Sequence, residues 1–166
     1  YNVAVDTPPW LNEGLAQLFE DAEWVGDGFA IGGVPSGRLY SVKRAIRKDK
    51  HIPLAELVTM TNRTWEANLT AKPDVSSLAY AESWSVIHFL VYADRGAYRG
   101  ALNRYLMLIK SGLRGEEPFT EAFGDDIDAF EQSWKAYVAS LEPTARFVCQ
   151  DNLFAIANLL ALHRDY

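Results

Sequence analysis

Leu78-Ala79-Tyr80-Ala81-Glu82-Ser83-Trp84-Ser85-Val86-Ile87-His88-Phe89-Leu90-Val91-Tyr92-Ala93 is the most apolar stretch of the chain. Tyr80, Trp84, Ile87 and Val91 recur at the three-and-four spacing of a helix stripe, which predicts a central helix. Asp74-Val75-Ser76-Ser77 reads as its cap. Working outward, Arg95-Gly96 separates it from a second helical pattern around 98–111, and residues 62–76 read as a connection. Phe119 to Phe123 forms a short helix stopped by Gly124. The segment 125–141 is amphipathic, with Ile127, Phe130, Trp134 and Val138 on one face.

Toward the start, Thr7-Pro8-Pro9 is a strong helix opening, a capping hydroxyl followed by prolines suited to the first turn. Leu11, Leu15, Leu18 and Phe19 then make an apolar stripe ending near Trp24. The glycine-rich run 26–33 lacks the strand–loop–helix spacing of a phosphate loop, so a short irregular or hairpin segment is expected near 26–36. Helices follow at 37–48 and after Pro53, the latter with Leu54, Leu57 and Met60 inward. A last apolar helix is expected at 153–162. The expected fold class is all-α, with 1–141 as one domain and 142–166 as a helical extension packed on it.

Composition narrows the function classes. With 49% hydrophobic and 23% charged residues, a length of 166 supports one domain with a hydrophobic core. The formal charge of −6 argues against nucleic acid. The basic run from Lys43 to Lys50 reads first as the solvated end of a helix, and an anion site there is the minor alternative. No apolar run reaches the length of a membrane span. The single Cys149 forms no internal disulfide and leaves the compartment open.

On a helical wheel Glu13 lies opposite Leu11, Leu15 and Leu18, so its carboxylate is available rather than in the core. Gly14 weakens a helix interior by about 1 kcal/mol relative to alanine, which suggests that something packs close to the backbone there. The run Trp10-Leu11-Asn12-Glu13-Gly14-Leu15-Ala16 resembles the one with which gluzincin zinc peptidases present their third metal ligand, a helical glutamate. Ser77-Leu78-Ala79-Tyr80-Ala81-Glu82-Ser83-Trp84 is similar to the aminopeptidase-N-like branch, where a tyrosine opens a helix a comparable distance further on. The segment Phe130-Glu131-x2-Trp134-x2-Tyr137-Val138 also looks like the close of such peptidase-MA-like domains. The resemblance covers roughly 7–141.

What the resemblance implies is specific. Glu13 would bind zinc, Asn12 and Gly14 would position the neighbouring backbone, and the helix packed on Gly14 would carry two histidines. Tyr80 would be catalytic, donating its hydroxyl to the oxyanion from the positive end of its helix. The first two ligands belong on a His-Glu-x-x-His helix roughly twenty residues upstream. Residues 1–12 contain no histidine, and His51, His88 and His163 offer no pair at i, i+4 spacing. The expectation is therefore the C-terminal part of a zinc metallopeptidase domain lacking that helix. Zinc would be held in the intact parent, none tightly by this chain, and the isolated chain would be inactive. A peptide or protein substrate would be the parent's partner. Exposed apolar surface on the Glu13 helix would favour self-association. The alternative is a non-catalytic peptidase-like helical module that binds a protein or peptide.

Overall fold

The computed structural model describes residues 7–71 and 73–162. In chain order these form α1 (Pro9–Glu20), β1 (Glu23–Trp24), β2 (Phe29–Ala30), α2 (Ser36–Arg47), α3 (Leu54–Thr59), α4 (Asn62–Ala71), α5 (Pro73–Tyr92), a short 3-10 turn (Ala93–Arg95), α6 (Arg99–Lys110), α7 (Glu117–Phe123), α8 (Ile127–Ser140) and α9 (Ala145–Leu162). The fold is all-α apart from the small antiparallel hairpin, in which Glu23 pairs with Ala30 and Trp24 with Phe29.

Helix α5 is central because it is apolar all round: every residue from Ala81 to Leu90 is buried. It packs against α1, α2, α4, α6 and α8. An aromatic cluster joins its far end to the last third of the chain. Phe89 lies 5.4 Å from Phe130, Phe130 lies 5.3 Å from Phe119, and Phe119 reaches Trp10 of α1 at 6.4 Å. Trp134 donates its indole N–H to Ser85 Oγ at 3.0 Å, which satisfies a polar group in the middle of this core.

Four sequence expectations need correction. Residues 62–71 are helix α4 rather than connection. Its start is held by a reciprocal hydroxyl exchange: Thr61 N donates to Thr64 Oγ1 at 2.9 Å and Thr64 N to Thr61 Oγ1 at 3.2 Å. Helix α5 begins at Pro73, where a proline suits the first turn; the side chains of the expected cap at 74–76 lie outside the described residues. Helix α1 ends at Glu20, and Phe19 is exposed rather than part of the buried stripe. Helix α9 starts at Ala145, well before 153.

Helix α9 is fastened at its beginning. Val34 N donates to Thr144 Oγ1 at 2.9 Å, and Thr144 N donates back to the Val34 carbonyl at 3.0 Å. Arg146 pairs with Glu23 at 2.9 Å. Residues 148–158 are exposed, including Leu153 and Phe154.

Candidate functional site

Helix α1 follows Pro8 and has Pro9 in its first turn. Trp10, Leu11 and Leu18 point into the core. Gly14 marks the closest approach to α5. A Cβ built there would stand 2.5 Å from the Ser83 carbonyl oxygen and 2.5 Å from Ile87 Cγ1, so only glycine lets the two backbones meet. A close neighbour is present, but it is α5, which carries Tyr80 and the single histidine His88, and not the two-histidine helix that the resemblance implies. Glu13 beside it is half-buried, and Asn12 is exposed. Among the described residues neither side chain has a hydrogen-bond partner.

Tyr80 lies one helical turn before Ser83 on α5. Its ring is half-buried and meets Trp65 of α4 edge-on, with centroids 5.5 Å apart and planes at 90°. Because α5 begins at Pro73, Tyr80 is about two turns inside the helix. The expected help from the helix dipole therefore fails, since that effect fades within the first turn. The structure brings the helices of Glu13 and Tyr80 together, while no hydrogen bond joins the two side chains.

The histidines are engaged elsewhere. His88 is 3% exposed. Its Nε2 lies 3.1 Å from the Gly32 carbonyl, an acceptor only, so Nε2–H donates there. Nδ1 is left to accept from the Tyr137 hydroxyl at 2.7 Å. Burial lowers the His88 pKa, partly offset by the Gly32 bond, and keeps the ring neutral. Burial also pushes the Tyr137 hydroxyl up to about 12. His51 Nε2 donates to Glu131 at 3.1 Å, and His163 lies outside the described residues. No group of three or more His, Cys, Asp or Glu among the described residues could hold a metal ion. A lone Glu13 is not a zinc site, which takes three or four protein ligands.

The chemistry-dense cluster is one that the sequence reading passed over. Glu82 on α5 is 0% exposed. Both its carboxyl oxygens face the Ile52 N–H, at 3.1 and 3.0 Å. Burial pushes its pKa well above the ordinary value, opposed by the Ile52 bond and reinforced by nearby Glu131. Glu131 of α8 accepts from Leu54 N at 2.6 Å and pairs with Lys135 at 2.6 Å. Burial pushes Glu131 up, but the Lys135, Leu54 and His51 hydrogen bonds outweigh it, and the net direction is down. Together Glu82 and Glu131 clamp the turn before α3 onto α5 and α8. A helical wheel carried the signal, because Glu82 falls on the same face as Val86 and Phe89 of the most apolar helix.

Residues 2–106 match the family described as Protein of unknown function (DUF1570). The chain belongs to that family. The DUF1570 match takes in Glu13, Tyr80, Glu82 and His88 and stops inside α6, so Glu131 and Tyr137 lie beyond it. Neither a curated protein nor a solved structure matches the chain.

Proposed function

We propose that the chain is the C-terminal part of a gluzincin-like, zinc-dependent peptidase domain, contributing Glu13 as third metal ligand and Tyr80 as oxyanion donor. The observation that supports this reading is the approach of the helix bearing Glu13 to the helix bearing Tyr80. The Trp10–Ala16 run lies on a helix pressed against α5 one turn from Tyr80, with Glu13 half-buried beside the contact. Two imidazoles and the general base come from elsewhere in the parent, where zinc activates the attacking water. Glu13 alone leaves the 166-residue chain without tight zinc binding and without activity.

The test is expression of the encoding reading frame with its upstream sequence, followed by metal analysis and hydrolysis of a quenched fluorescent peptide library. The expected result is about one zinc per chain, lost on Glu13→Ala. Tyr80→Phe should retain the metal and lower kcat by about 10²-fold, as expected for one oxyanion donor. A parent with neither zinc nor hydrolysis sinks the proposal. The second reading, a peptidase-like module that binds protein, is favoured by the exposed Trp24, Phe29 and Phe19 around the hairpin. It predicts unchanged partner binding in Glu13→Ala, with self-association through that apolar surface visible in sedimentation.

A further inference from the structure

Helix α2 turns one face toward the beginning of α5 across a cavity of about 540 Å³. Tyr40, Arg44 and Lys48 recur every four residues on that face. Ser41 and Lys50 join them, with Ser77 and Leu78 of α5 opposite. Among the described residues no carboxylate lines the cavity; Asp49, between two of the lysines in sequence, is not part of its wall.

Several cations elsewhere are held in ion pairs, while Arg47, Arg95 and Lys110 have none among the described residues, so what distinguishes this cluster is its convergence on one cavity. Arg38 pairs with Glu20 and Asp21, Arg104 with Glu121, Lys135 with Glu131 and Arg146 with Glu23. Among the described residues Arg44, Lys48 and Lys50 have no acidic partner, in a chain whose net charge is −6. The helix dipole favours cations around the last turn of α2. It does not select a face, so it does not explain their convergence with Lys50, which lies beyond the helix, on one concavity.

We infer that this cavity binds a phosphate group, presented by a small phosphorylated molecule or by a lipid headgroup. The charge state decides the class. In water a single ion pair at 4 Å is worth only about 1 kcal/mol, so a lone carboxylate gains little from exposed cations. A phosphate monoester carries close to two charges and three acceptor oxygens, and it draws on several cations at once. The volume lies within the usual range for small-molecule sites, and the exposed Tyr40 ring at the rim gives the organic part a surface to rest on. The inference needs no metal and stands apart from the peptidase reading.

The test is titration of the 166-residue chain with inorganic pyrophosphate at low salt, followed by amide chemical shifts and calorimetry. Saturable binding is expected, with shifts centred on residues 40–50 and 77–78. Arg44→Glu and Lys50→Glu should each weaken it by roughly tenfold or more, while Lys110→Glu, a charge change away from the cavity, leaves it nearly unchanged. Lys50 lies outside any helix, so that variant keeps the test open if Arg44→Glu melts early. Vesicles containing phosphatidylinositol phosphate, compared with phosphatidylcholine alone, separate the sources: Arg44-dependent vesicle binding identifies the headgroup, and pyrophosphate binding without it identifies a soluble ligand. Absence of saturation overturns the inference. So does equal weakening by Lys110→Glu, which would mean unspecific attraction.

Discussion

Replacing Gly14 by alanine would set a methyl group against the Ser83 carbonyl and Ile87 Cγ1, both fixed parts of the central helix. The strain cannot be relieved by a flexible side-chain end, so α1 must move off α5. Gly14→Ala should lower stability by about 1–3 kcal/mol through overpacking, read as a drop in denaturant midpoint. Gly37→Ala in α2, where a Cβ meets open space, should be neutral or slightly stabilising. Gly14 was legible in the sequence because the conflict is local: a poor helix former in the middle of a helix needs a reason. For Glu82 the helical wheel shows only that it lies on the apolar face of α5, not what would satisfy its carboxyl there. Its burial depends on the Ile52 N–H arriving from thirty residues earlier in the chain, a contact that no local pattern specifies. Tyr80 was placed on the right helix but at the wrong depth, because the true start at Pro73 fell inside a stretch read as a connection.

That stretch is the main lesson at the level of elements. Helix α4 has one large buried residue among those described, Trp65, and a face of Asn, Arg, Thr and Glu that gives no amphipathic stripe. Its boundary signal is the Thr61–Thr64 pair, which is short and easily overlooked, whereas α5 and α8 announce themselves by repeated apolar positions. Thr61→Ala should cost about 1 kcal/mol through loss of the cap. Trp65→Ala should cost about 3–5 kcal/mol and shift the Tyr80 ring resonances, since the indole is the ring's edge-on neighbour. Wild-type Tyr80 resonances in Trp65→Ala would show that α4 does not set the tyrosine's environment.

At the scale of the molecule, the buried Glu82 and His88 and the half-buried Glu131 shape how stability follows pH. Glu82 has a folded pKa above the ordinary 4.5, so the folded chain holds a proton that the unfolded chain has released. Its contribution is complete below 4.5 and is lost as pH rises through the raised value. His88 is lowered from 6.5, so the unfolded chain takes up the proton first, and stability falls as pH drops below 6.5. Glu131, lowered from 4.5, adds a further loss in acid. Glu82→Gln keeps an acceptor for Ile52 and removes the ionisation. Its melting temperature relative to wild type should rise as pH increases above 4.5 and show no gain below it. A pH-independent difference would mean that Glu82 is already ionised in the fold. The clamp joins residues inside the DUF1570 match to Glu131 beyond it, as does the burial of Phe119 against Trp10. The all-α class was readable from periodicity, but this stitching of the last third onto the first was not.

The hairpin has a practical corollary. Trp10, Trp65, Trp84 and Trp134 are at most 5% exposed, whereas Trp24 on β1 is 60% exposed, with the Phe29 ring 5.1 Å away. Intrinsic fluorescence therefore divides into a shielded population and one emitter open to collisional quenchers such as acrylamide or iodide. The shielded four report on the integrity of the core, and the fifth on whatever settles over the hairpin. The protein thus carries a built-in optical probe at an exposed apolar edge, readable without any label.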